Sequence, residues 1–148
     1  LFKADGGTGI DTVEFTTGIN LNFTDATVAG ASDMRNGAIE NIEILKLGAG
    51  DQTLTFDHLD VIAMTGEKNT AVDNASYQKG NVLVIDAEAG DTVDLPGTWA
   101  DNSGTWEDSS GTWVNTGDTT SVNGSGSFSV YQYGSDNIFV AIDGINPT

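Results

Sequence analysis

The sequence predicts a mainly β fold: an irregular β-roll or β-sandwich-like module with one short helix and a C-terminal hairpin. Three observations predict it. Short runs of alternating apolar and polar residues recur along the chain, Gly/Asp/Asn turns separate them, and a single stretch carries apolar residues at helical spacing. With 148 residues the chain suits one domain spanning 1–148, large enough to bury a core. Apolar residues at 38% and aromatics at 8% separate it from a disordered acidic tail.

The predicted strands come in order as "DTVEF", "GINLNF", "IEILKL", "QTLTF", "VLVID", "TVDL", "FSVYQY" and "IFVAI". Between the fourth and fifth, "TFDHLDVIAMTG" places Phe56, Leu59, Ile62 and Ala63 at helical spacing with Asp57 near the start, which predicts a short helix. "FSVYQYGSDNIFVAI" predicts a hairpin turning over 134–137. Three segments resemble one another: 3–15, 45–56 and 85–95 each run glycine, aspartate, then an alternating strand, the first with Ile10 interposed. Such units suit a chain winding in coils, where each turn needs glycine for a tight bend. Two stretches read as excursions. Residues 66–80 break the β pattern and hold two of the five basic residues, and 97–117 repeats Gly-Thr-Trp three times, at Trp99, Trp106 and Trp113.

The charge narrows the function. Twenty-two carboxylates against five basic residues give a net charge of −17. That field repels nucleic acid and anionic lipid, and it favours bound cations, of which Ca²⁺ suits oxygen-only ligands. No apolar run is long enough to insert in a membrane. No cysteine is present, which removes disulfides, thiolate nucleophiles and cysteine-rich zinc sites. The composition reads as that of a secreted bacterial module belonging to something longer.

"GGTGIDTVE" fills every defined position of the nonapeptide GGxGxDxUx with Gly6, Gly7, Gly9, Asp11 and Val13. In that turn the glycines let carbonyl oxygens approach an ion and the aspartate completes the shell. Asp5 adds a carboxylate ahead of the glycines. Asp86, Glu88 and Asp91 around Gly90 form a shorter echo, so the candidate metal ligands are Asp5, Gly7, Gly9, Asp11, Asp86, Glu88 and Asp91. They make either two oxygen-lined pockets or one site from loops of adjacent coils. Each turn equally suits an aspartate that merely caps its own backbone, and Gly50-Asp51 is a poorer third candidate. Catalysis finds little footing. His58 is the sole histidine and sits in the apolar-patterned helix, where packing is the plainer role, and no acid–base carboxylate pair stands out. The chain therefore reads as non-enzymatic. An alternative is a carbohydrate- or peptide-binding domain that stacks ligand on Trp106 and Trp113, with Trp99 in the core.

Along "NGAIENIEILKLGAGDQTLTFDHLDVIAMTG", "NVLVIDAEAGDTVDLPGTW" and "FSVYQYGSDNIFVAID", the chain resembles a module from the ligand-binding region of giant bacterial RTX adhesins. The matching features are Gly6 to Val13, Ile39-Glu40-Asn41-Ile42-Glu43, Thr53-Leu54-Thr55-Phe56, Asp60-Val61-Ile62, Leu83 to Leu95, Trp99 and Tyr131. Their order, over most of the chain, is more specific than any one of them. The resemblance implies a Ca²⁺-rigidified, extracellular scaffold supporting cell adhesion and biofilm, attached to the cell surface through a larger adhesin. Its partners would be neighbouring or inserted adhesin domains, including a sugar-binding domain set into the split scaffold, and possible targets a cell-surface glycan or peptide. The 66–80 segment and the triple Gly-Thr-Trp unit depart from that pattern.

Overall fold

The computed structural model describes residues 4–23, 39–66, 68–95, 112–134 and 137–148, and the backbone of 98–100. Its chain winds. Strand β1 (Ala4–Asp5) leads to β2 (Thr12–Phe15) and β3 (Asn20–Asn22). The next coil repeats the path with β4 (Ile39–Glu40), β5 (Ile44–Leu47) and β6 (Thr53–Thr55). In the third coil helix α1 (His58–Met64) takes the first side, followed by β7 (Asn81–Asp86) and β8 (Thr92–Asp94). All pairings between coils are parallel and in register, Thr12 beside Ile44 beside Val84 and Asn20 beside Thr53 beside Thr92. The roll thus takes form, with parallel pairing made possible by the long returns between equivalent strands.

The larger sheet then grows beyond the roll. Strand β12 (Ile138–Asp143) lies parallel to β7, and β11 (Ser125–Tyr133), β10 (Thr112–Val122) and β9 (Thr98–Ala100) follow outward, giving the order β2-β5-β7-β12-β11-β10-β9. The predicted hairpin is present as the antiparallel β11–β12 pair. Across the roll, the sheet β3-β6-β8 gains Thr148, whose N–H donates to the Val93 carbonyl and whose carbonyl accepts from the Leu95 N–H, both at 2.9 Å. Between the sheets lies a core that includes Leu45, Leu47, Leu54, Phe56, Ile85, Val93 and Ile142.

Helix α1 forms as predicted, but its buried face is different. Leu59 and Ile62 are 49% and 44% exposed and Ala63 is also exposed, while Asp60, Val61 and Met64 are buried. The cap sets this orientation: Asp57 accepts the Leu59 and Asp60 N–H groups at 2.9 and 3.1 Å, and the Asp60 carboxylate accepts the Asp57 N–H at 2.7 Å. Asp60 must therefore face inward beside the start of the helix, and Val61 and Met64 turn in with it.

The segment 66–80 is no loose excursion. It covers the outer face of the large sheet, where Ala71, Val72 and Tyr77 pack with Val82, Val84, Val130, Phe139 and Ala141 in a second core. Buried Asn69 donates to the carbonyls of Glu43 and Val82, both at 3.1 Å, and accepts the Ala71 N–H. The Tyr77 hydroxyl donates to Asp118, and burial followed by that carboxylate pushes its phenol up, so it stays a donor. Asp73 accepts from the Ser121 hydroxyl and, at 2.8 Å, from the Gly124 N–H.

Trp113 requires a further correction. Named as a ligand-stacking residue in the alternative reading, it is 0% exposed and meets the Tyr133 ring edge-on at 5.3 Å. The third Gly-Thr-Trp unit runs directly into β10, whose pairing with β11 sets Trp113 opposite Tyr133 on the core side. Trp106 and the side chain of Trp99 lie outside the described residues.

At the turn between the two sheets, Gln52 is fully buried. Its amide nitrogen donates to the carbonyls of Phe15, one coil back, at 3.2 Å, and of Gly48 at 2.9 Å. Its backbone N–H donates to Asp91, one coil on, at 2.9 Å.

Two measurements check this account. Gln52→Leu removes the donor to two carbonyls, each worth about 1–3 kcal/mol when left unsatisfied and buried. It should lower unfolding free energy by about 2 kcal/mol or more in urea. Lys46→Ala, which removes an exposed pair with Glu14 at 3.8 Å, should change it by less than about 1 kcal/mol. The Asp73 carboxyl lies below its ordinary value of 3.8, chiefly because Ser121 and then Gly124 hydrogen-bond its ionised form. A depressed folded value means this tie stabilises above the ordinary value and is lost as pH falls through the folded one. The Gly124 amide shift should therefore titrate with a midpoint below 3.8, and Asp73→Asn should abolish that transition.

Candidate cation site

The GGTGID turn lies before β2, between the first and second sides of the first coil. Gly6 is there for want of a side chain: a Cβ would sit 2.2 Å from the Asn41 carbonyl oxygen and 2.5 Å from the Asp11 Cβ. Gly7 and Gly9 adopt φ of 81° and 112°, the left-handed region that glycine enters without strain. The turn is tied to its neighbour in the second coil. Asp5 accepts the Gly7 N–H at 3.1 Å and the Asn41 side-chain amide at 2.8 Å, and the Gly6 N–H donates to the Glu40 carbonyl at 3.1 Å.

Glu43, which sequence reasoning passed over, completes the arrangement. It is 0% exposed, and its carboxylate accepts the Asp11 N–H at 2.9 Å while the Asp11 carbonyl accepts the N–H groups of Glu43 and Ile44. Asp11 itself is half-buried, and its Oδ2 is enclosed with no hydrogen-bond donor among the described residues. A buried glutamate of the second coil thus holds the backbone of the turn that carries Asp11. In the sequence Glu43 sits in the apolar alternation of "NIEIL", a place equally suited to a solvated charge, so only the coil stacking reveals it.

The other candidates fall elsewhere. The turn 86–91 follows β7, whereas the GGTGID turn precedes β2, and these strands run parallel in one sheet. The two turns are therefore at opposite ends of the sheet, and Asp5, Gly7, Gly9 and Asp11 make no common site with Asp86, Glu88 and Asp91. The apparent repeat was out of phase. The structural partner of 86–91 is the Gly50-Asp51 turn, where a Cβ on Gly90 would lie 2.5 Å from an Asp51 carboxylate oxygen, and the first coil supplies Gly18 beside Asp51. Asp91 serves its own fold: one oxygen accepts the Gln52 N–H and the other the Glu88 N–H at 2.8 Å. Glu88 is exposed and Asp86 half-buried. Among the described residues no three acidic or histidine side chains gather closely enough to hold an ion by themselves. An ion at Asp11 and Glu43 would complete its shell with backbone carbonyls, as oxygen-seeking Ca²⁺ permits. His58 is half-buried and stacked on Tyr133 at 3.9 Å, a packing role.

If the Asp11–Glu43 pair is a cation site, neutralising either carboxylate relieves repulsion in the metal-free protein. Asp11→Asn and Glu43→Gln should each melt higher than the parent in chelator and lose the Ca²⁺-dependent gain. Asp91→Asn should keep that gain while melting lower in both conditions. Thermal melts of the three variants check the pattern.

No family model, curated protein or solved structure matches this chain.

Proposed function

We propose that this chain is a non-enzymatic, extracellular, calcium-stabilised scaffold module of a bacterial adhesin. The observation that carries the reading is the enclosed Asp11 oxygen with no donor among the described residues, in a turn whose backbone the buried Glu43 carboxylate holds and which has the full GGxGxDxUx pattern. Burying two carboxylates together is costly unless a cation or protons neutralise them. The −17 charge adds a diffuse preference for the cation. Asp11 and Glu43, with carbonyls of the glycine turn, would hold it, while Asp5 shapes the turn through Gly7 and Asn41. Ca²⁺ there would clamp the first coil to the second, stiffening a module whose load passes along stacked turns. Cell adhesion, and partnership with neighbouring or inserted adhesin domains, follow from the sequence resemblance to RTX adhesin modules. The reading in which ligand stacks on the tryptophans loses Trp113 to the core.

A ligand that binds only the native state stabilises by RT ln(1 + [L]/Kd), about 2.7 kcal/mol at a hundredfold excess over Kd. Melts in millimolar Ca²⁺ and in chelator should differ by several degrees, and Mg²⁺ at the same concentration should give a smaller shift. Superimposable curves would overturn the proposal.

A further inference from the structure

The 66–80 segment brings two lysines to one place. Lys68 and Lys79 line a cleft of about 450 Å³ together with Gly66, Gln78, Gly80 and Asn81. The chain has only five basic residues against 22 acidic ones. Lys46 finds Glu14, yet neither Lys68 nor Lys79 makes an ion pair among the described residues. Two exposed ammonium groups therefore share one cleft with no carboxylate partner among the described residues.

Their placement is fixed by the fold. The segment leaves α1 through Gly66, which abuts the Asn41 side chain, and re-enters β7 after Gly80, which abuts the Asn137 carbonyl. Buried Asn69 pins its first half to Glu43, just before β5, and to β7, and the 3-10 turn Tyr77–Lys79 is pinned through Tyr77. The two amides in the cleft are held as well. Gln78 donates to the Val72 carbonyl at 2.7 Å, and Asn81 donates to the Thr65 carbonyl and hydroxyl at 3.0 and 2.9 Å. Each therefore keeps a side-chain carbonyl oxygen that accepts no hydrogen bond among the described residues.

We infer that this cleft binds a small carboxylated, hydroxyl-rich ligand, of the chemical class of an acidic sugar. The lysine ammonium groups take the carboxylate, and the amide oxygens of Gln78 and Asn81 take hydroxyl protons. A neutral sugar lacks the group the lysines need, and a simple carboxylate lacks the donors the amides need. The net charge of −17 disfavours anion binding in general, so a site for one needs a local cationic pair such as this. The inference does not depend on Ca²⁺ binding, because the cleft shares no residue with the Asp11 turn.

The test is titration of the isotope-labelled protein with D-glucuronate, D-glucose and acetate at low, constant ionic strength, with chelator present throughout. Glucuronate should shift the amide resonances of Gln78, Gly80 and Asn81, and bind at least about tenfold more tightly than acetate or glucose. Lys68→Gln/Lys79→Gln should weaken glucuronate by about tenfold or more, the loss expected for charge-assisted contacts. Both lysines are exposed, so the double variant should melt like the parent; Lys79→Arg alone provides a charge-retaining control that keeps binding. Equal binding of glucuronate and acetate, shifts centred elsewhere, or undiminished binding by the double variant would each overturn the inference. Loss of the Ca²⁺ response in melts would leave this titration unchanged, so the two proposals fail separately.

Discussion

Everything in the roll depends on satisfying backbone groups that coil stacking takes out of water. A strand ladder does this along the flat sides, where each N–H finds the carbonyl of the next coil. The corners have no ladder. At the corner after β5, Gln52 supplies the missing donors, its amide reaching back to Phe15 and across to Gly48 while its N–H reaches forward to Asp91. One residue thereby joins three coils. Asn69 performs the equivalent task on the outer side, joining the carbonyls of Glu43 and Val82. Both are fully buried, and a buried carbonyl without a donor costs more than an average hydrogen bond contributes. These amides lower the cost of packing the turns.

The burial of the large sheet arises from the same constraint. Val82 to Ile85 are buried without alternation, as are Ile138 to Ile142. A strand buried on both faces requires a layer on each, as in sheets covered on both sides. The roll interior covers one face, and 66–80 covers the other. The continuous apolar runs "VLVI" and "IFVAI" carried that demand in plain view. The segment that meets it looked like an insertion because its own contribution is three apolar residues, Ala71, Val72 and Tyr77, scattered among polar ones.

Part of the fold was legible: eight strands, the α-helix and the hairpin follow from alternation and turn residues. Strands β1, β4, β9 and the eleven-residue β10 went unread, β9 and the start of β10 inside the 97–117 stretch that reads as an excursion. Phase was not legible either. Aligning turns on Gly-Asp pairs matched GGTGID with GAGD and EAGD, because local sequence cannot say whether a turn opens or closes a strand. The first coil's true counterpart, Thr16-Thr17-Gly18, carries no carboxylate to mark it. The helix face failed for a related reason. Leu59, Ile62 and Ala63 made one apolar stripe and Val61 and Met64 another, and the choice between them fell to Asp60, inward-facing because it closes the capping box. Trp113 differs from Trp106 in its C-terminal neighbours: the apolar Val114 follows it within β10, whereas Glu107 and Asp108 follow Trp106.

The candidate site was half visible. The glycines and Asp11 announce themselves, since few turns other than a close backbone approach need that spacing. Glu43 could not be recognised from its neighbours, because burial of a glutamate between isoleucines is decided by the residues of the adjacent coil. Its position nevertheless explains why one full nonapeptide suffices for a candidate site. In a tandem array the next repeat would bring its own aspartate to the turn. Here the second coil has no such repeat, and Glu43 reaches the Asp11 backbone from that coil instead. The same logic separates this end of the sheet from the other. At Asp91 the carboxylate oxygens already meet Gln52 and Glu88 N–H groups, so that corner is complete with protein donors alone. At Asp11 one enclosed oxygen still lacks a donor among the described residues, so that corner is completed by a proton or by the proposed cation rather than by protein donors.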